Sequence, residues 1–184
     1  MLPILRSFPF FPIRTIVEFG GRSVDIYPHQ IVVWVGLTEI DQTDPPPVDC
    51  KFPAILDTGH SHNFAISPNH LRDWARIEWN QLPLERVERF HQGIPVPMRR
   101  ANLWLYPNQS GWRDWIDPAR LPILLPLDEG IAVFGNGVDV GTKATTQLVA
   151  HRLPVLGLRA IVTNRLHLHI DPVRRHVSLN QAES

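Results

Sequence analysis

From residue 13 onward the chain runs in short stretches of alternating apolar and polar positions, bounded by glycine, proline or acidic clusters. Apolar residues at every second position place one face of a strand against a core and leave the other to water. Residues 13–19 and 23–27 therefore predict a hairpin about Gly20-Gly21-Arg22, and residues 30–40 a long strand. Residues 41–49, acidic and holding Pro45-Pro46-Pro47, predict a loop, since consecutive prolines join neither helix nor ladder. Residues 52–56 form a short apolar strand that runs into Asp57-Thr58-Gly59, and residues 63–67 another.

The helical period surfaces twice. Ser67 can cap, Pro68 suits a first turn, and Leu71, Trp74, Ala75 and Ile77 fall on one side, which predicts a helix from residue 68 to about residue 77. Residues 158–162 predict a second, shorter helix. Between them lie a predicted hairpin (87–90 with 94–106, turning at Gln92-Gly93), an irregular excursion at 107–118, strands at 123–127 and 130–134, and a glycine- and threonine-rich mobile loop at 135–146. Pro95 and Pro97 mark an edge or an exposed arm. Residues 153–156 are apolar, and 165–170 with 176–179 predict a final hairpin around residues 171–175. Strands outnumber helices, and 18 prolines among 184 residues, about twice the usual share, favour loops and strands further.

Length allows one domain with a real core: an N-terminal extension and hairpin at 1–29 and a core at 30–179. Eighteen basic and 18 acidic residues cancel, which removes the long-range field that nucleic acid or an anionic membrane needs. A single cysteine, Cys50, forms no internal disulfide, so a cytoplasmic location is expected. Residues 2–12 are apolar but interrupted by three prolines, with no small-residue cleavage site after them, so no signal peptide is expected.

Chemistry concentrates at Asp57. A carboxylate placed directly after a buried strand is costly unless something holds or uses it. Peptide hydrolysis is one use, because two carboxylates at close range share a proton and orient a water between them. In such a turn Gly59 permits close backbone approach and the Thr58 hydroxyl can brace the bend.

The segment Ala54-Ile55-Leu56-Asp57-Thr58-Gly59 resembles the active-site motif of retroviral-type (retropepsin-like) aspartic proteases, and Leu153-Pro154-Val155-Leu156-Gly157-Leu158-Arg159-Ala160 resembles that family's apolar-apolar-glycine segment with its following helix. These two segments match residue by residue; the rest agrees in order of elements. The resemblance implies an all-β fold with one or two short helices, a closed acid-protease barrel, and a hairpin flap, first choice residues 90–98 and second choice 130–141. It further implies an aspartic endopeptidase that works as a homodimer without metal or other cofactor, each chain supplying one Asp57. Thr58 and Gly59 shape the catalytic turn, and His60, His62, Phe90, Ile94, Leu156 and Gly157 are the expected substrate-binding residues. His60-Ser61-His62 departs from the family, which usually has alanine or serine after Asp-Thr-Gly. Residues 41–49 and 107–118 would be insertions, and no second Asp-Thr-Gly occurs. The alternative is a non-catalytic peptide-binding or dimerisation module on the same fold.

Other clusters read more plainly. His60/His62 and His167/His169 are spaced to share a metal on one strand face, but no acidic or cysteine partner lies at ligand spacing, so no metal site is expected. Arg99-Arg100 and Arg174-Arg175 lie beside turns and are expected to be solvated. Cys50 has no activating base nearby and is expected to be passive. Trp74, Trp79, Trp104, Trp112 and Trp115 are anchors of the core or of an interface.

Overall fold

A computed structural model of the protein describes residues 1–89, 95–134 and 153–182. It is a mostly β protein with two short helices. The strands are β1 (Leu2–Pro9), β2 (Thr15–Phe19), β3 (Arg22–Ile26), β4 (Ile31–Thr38), β5 (Phe52–Asp57), β6 (Phe64–Ile66), β7 (Leu84–Arg89), β8 (Pro95–Arg99), β9 (Asn102–Leu105), β10 (Ile123–Leu125), β11 (Ile131–Val133), β12 (Val155–Gly157), β13 (Leu166–Asp171) and β14 (His176–Gln181). Nine of them form one sheet in the order β10-β9-β4-β5-β12-β6-β11-β8-β7, β1-β14-β13 form a second, and β2-β3 stand as a hairpin. Among the described residues no helix is long and apolar enough to cross a membrane.

β4 explains the layering. Its residues are buried almost without a break because both of its faces are covered. Val33, Val35 and Leu37 enter the main core, while Val32 and Trp34 enter a second cluster with Val17 and Ile26 of the β2–β3 hairpin, Tyr106 and Leu153. The hairpin turns through Gly20 and Gly21 at φ 53° and 73°, and Phe19 pairs with Arg22, a two-residue loop that demands positive φ at both positions. Arg113, from the irregular excursion, locks the hairpin down: buried, it donates to Thr15 Oγ1 at 2.7 Å and to the Ile16 carbonyl at 2.8 Å, and pairs with Asp114.

The main core is shared between the two larger sheets. Ile4, Leu5 and Phe8 of β1 and Val177 and Leu179 of β14 pack with β4, β5, β6, β9, β11 and β12 residues in one apolar cluster. β1 itself is a departure from the predicted elements, because the prolines of residues 2–12 argue against a strand. It is an edge strand, bulged between Pro3 and Leu5 and again between Leu5 and Phe8, so prolines at its two ends forfeit little. It also binds the N-terminal extension into the core.

A second departure lies in the predicted strand 94–106. It is two strands that part at Arg100-Ala101: β8 goes to β7 and β11, and β9 to β4 and β10. Pro95 and Pro97 pair with Arg89 and Val87 of β7, and both lie beyond the last described β8–β11 pair, Ala132 with Met98. The predicted hairpin itself stands, pairing Leu84–Arg89 with Pro95–Arg99; its Gln92-Gly93 turn, together with the loop 135–146, lies outside the described residues. The first helix, α1 (Pro68–His70), is capped by Ser67 Oγ, which accepts from the His70 N–H at 3.1 Å. It widens into one π turn (Leu71–Ala75) and stops at Arg76, φ 59°. The second, α2 (Leu158–Thr163), follows β12 directly.

Candidate active site around Asp57

β5 alternates faithfully. Phe52, Ala54 and Leu56 face the main core, which turns Ile55 and Asp57 to the opposite face. At the strand's end the Asp57 carboxylate folds back on its own turn, Oδ1 accepting from the Gly59 N–H at 2.8 Å, while the Asp57 carbonyl accepts from His60 N at 3.2 Å. Asp57, Thr58 and Gly59 are all exposed.

The neighbour of β5 is β12, nearly a hundred residues on. The two run parallel, with Val155 opposite Ile55, Leu156 opposite Leu56 and Gly157 opposite Asp57. On its other side β12 pairs antiparallel with β6, so it threads between the two strands that the Asp57 turn joins. Gly157 is the tight point. Its N–H donates to the Asn63 carbonyl at 3.0 Å, and the next N–H, of Leu158, donates to the His60 carbonyl at 3.0 Å. A Cβ on Gly157 would lie 2.0 Å from the His62 carbonyl oxygen and 2.8 Å from that of His60, so only glycine lets the loop cross here.

A cavity of about 270 Å³ opens beside Asp57. Ile55, Val155 and Leu153 line it, and so do Asp25, Tyr27 and Gln30 from the N-terminal hairpin and the segment after it. Arg14 binds the Asp25 carboxylate through Nε at 3.0 Å and a terminal nitrogen at 2.5 Å, and its guanidinium lies 5.6 Å from the Tyr27 ring centre. Gln30 Oε1 accepts from the Tyr27 N–H at 2.9 Å. Sequence reasoning missed these residues. The period-two parity of β5 could have supplied Ile55, but nothing local marks Asp25 or Tyr27, which reach the cavity only through tertiary packing.

The expected substrate-binding residues are placed as follows. His60 is half-buried beside the turn, with Nε2 lacking a hydrogen-bond partner among the described residues; burial pushes its pKa down, the neighbouring His62 adds to this, and Asp57 opposes it. His62 is buried, its Nε2 3.1 Å from Glu88 Oε2 on β7; burial again lowers its pKa, against the pull of Glu88. Neither lines the cavity beside Asp57. Leu156 is fully buried in the main core, and by strand alternation its neighbour Val155 faces the cavity. Phe90 and Ile94 lie outside the described residues.

Elsewhere, His167 and His169 are exposed on β13, and among the described residues no three histidine, cysteine or acidic side chains are grouped to hold a metal ion. Cys50 is buried, and burial raises its thiol pKa. Arg99 departs from the solvated expectation: it donates to the Leu82 carbonyl at 2.8 Å and covers the Trp79 ring. Trp74 and Trp104 are inward anchors, whereas Trp112 and Trp115 are exposed. The chain matches no protein-family model, no curated protein and no solved structure.

Proposed function

We propose that the protein is an aspartic endopeptidase, active as a homodimer in which each chain contributes one Asp57. The observation that carries this reading is the pairing of β5 with β12. The two segments that resemble the retropepsin-like family are distant in sequence, yet they lie side by side with Gly157 opposite Asp57. An exposed Asp57 at the end of a buried strand, beside a cavity with an apolar wall, supports it further. In this reading the sheets curl into a closed barrel, and the β7–β8 hairpin, with Phe90 and Ile94, closes over an extended peptide. His60 and Gly157 border the substrate side of the turn, and the cytoplasm is the expected location.

The chemistry follows from two like charges held close. Repulsion keeps one carboxyl protonated while the other is ionised. The ionised Asp57 takes a proton from water as the water oxygen attacks the peptide carbonyl carbon, and the protonated Asp57 donates to the carbonyl oxygen. The tetrahedral diol then collapses: the nitrogen takes a proton from one carboxyl as the C–N bond breaks, and a diol hydroxyl returns one to the other. Thr58 braces the turn, and Gly59 leaves room for its counterpart.

Cleavage of a mixed peptide library from acidic to neutral pH tests this, with wild type beside Asp57→Asn, a pepstatin-like inhibitor as control, and sedimentation to give the association state. Wild type is expected to cleave as a dimer, and the variant to lose at least about a thousandfold in rate while keeping its fold. A folded wild-type dimer that cleaves nothing would overturn the reading in favour of a non-catalytic peptide-binding module. A strictly monomeric, active wild type would overturn the shared dyad.

A further inference from the structure

Behind the Asp57 turn, side chains from four elements meet in one polar network. His62 comes from the loop between β5 and β6, Arg86 and Glu88 from β7, Glu129 from the turn before β11, and Arg159 from α2. His62 Nε2 lies 3.1 Å from Glu88 Oε2; Arg86 Nε donates to Glu88 Oε1 at 2.9 Å; Arg86 also reaches Glu129 Oε2 at 2.7 Å, and Arg159 pairs with that same Glu129 oxygen. Beside them, Asn63 Nδ2 donates to Asp128 Oδ1 at 3.1 Å. The His62 side chain is only 5% exposed and that of Glu88 30%.

At the other end of this network the β7–β8 hairpin forms an edge of the described sheet. Among the described residues β7 is the outermost strand, and β8 pairs with β11 through Arg99 with Ile131 and Met98 with Ala132. Beyond Met98 the described part of the hairpin is anchored by the buried Val96 and by Glu88 on His62. His62 in turn belongs to the loop that leaves Asp57 and lies across Gly157. A buried imidazole–carboxylate contact contributes little net stability, but its direction and short range fix relative position.

We infer that His62 and Glu88 are positioning residues whose hydrogen bond clasps the described part of the β7–β8 hairpin to the loop emerging from the Asp57 turn and fixes the two relative to each other. The inference rests on the peptidase reading for its catalytic consequence, although the clasp itself does not. Neither residue touches the reacting atoms. Glu88 presents one carboxylate oxygen to His62 and the other to Arg86, so the clasp is continuous with the Arg86–Glu129–Arg159 chain that reaches α2.

The full chain tests it as wild type, His62→Ala, Glu88→Ala, the double variant and Glu88→Gln, by amide hydrogen exchange in β7 and by peptide cleavage. Either alanine is expected to speed exchange across Leu84–Arg89 about tenfold. The double variant should add little to either single one, and Glu88→Gln, which keeps an acceptor for His62, should restore exchange to near wild type. On the peptidase reading, the alanine variants should raise KM more than they lower kcat, as expected when the loop leaving the Asp57 turn is loosened and the Asp57 pair is intact. Unchanged exchange in β7, additive single effects, or a glutamine variant as loose as alanine would each overturn the clasp. Should His62→Ala fail to fold, Glu88→Ala and Glu88→Gln, at a partly exposed site, decide it alone. A wild type that cleaves nothing sinks the peptidase reading, while exchange still decides the clasp.

Discussion

Gly157 and His70 show how much a single position can carry. A methyl group at Gly157 meets backbone oxygen, which cannot rotate away, so Gly157→Ala has to push apart either the β12 pairing or the loop at His60 and His62. The expected loss is about 3 kcal/mol or more, read from urea midpoints, and on the proposed peptidase reading cleavage should fall with it because Asp57 lies directly opposite. His70 stacks on Trp74 with ring centres 3.8 Å apart, and burial pulls its pKa from 6.5 to about 4, with Asp73 opposing. Because the folded value is the lower one, the unfolded chain binds more protons in acid. The contribution of His70 is therefore complete above about 6.5 and is lost as pH falls through about 4. His70→Gln should flatten the decline of urea midpoints between pH 7 and pH 4, and a wild-type decline that the variant leaves unchanged would contradict this assignment.

Arg113 governs the placing of a whole element. Its guanidinium serves Thr15 Oγ1, the Ile16 carbonyl and Asp114, and its own carbonyl accepts from Trp34 Nε1 at 2.8 Å. Arg113→Ala removes a buried side chain that ties the hairpin to the excursion and is expected to cost about 1–3 kcal/mol, with faster proteolysis in the β2–β3 hairpin as the local sign. Elements of this kind divide by how far the sequence announces them. Strands β2 to β6 and the final β13–β14 hairpin were legible because their side-chain period and turn residues are local properties; Gly20-Gly21 alone specifies the first hairpin. β1 was hidden because Pro3 and Pro9 argue against a strand unless it is known to be an edge. The parting of β8 from β9 was hidden because Arg99-Arg100-Ala101 carries no mark of a change of partner. At the site, Asp57 and Gly157 were legible as backbone-constrained motifs, whereas the roles of Asp25, Tyr27 and the His62–Glu88 contact arise from pairing across the fold.

For the whole molecule the decisive feature is a core held jointly by two sheets. Phe8 is fully buried against residues of both, so Phe8→Ala is expected to cost about 3–5 kcal/mol, a large part of the 5–15 kcal/mol typical of a domain. A thermal midpoint lowered by many degrees would be the measurement, and a shift of only a degree or two would mean that β1 is dispensable. The same pairing bears on how the chain is made. Leu5 lies opposite Leu179, so among the described residues β1 has no strand to pair with until β14 is synthesised, although residues 108–120 already reach its backbone. Contacts this distant are slow to form, and until they do the unpaired edge of β1 stays open to chaperones or to neighbouring chains. Translation halted before residue 176 would thus release a chain whose β1 lacks its strand partner and whose core lacks Val177 and Leu179.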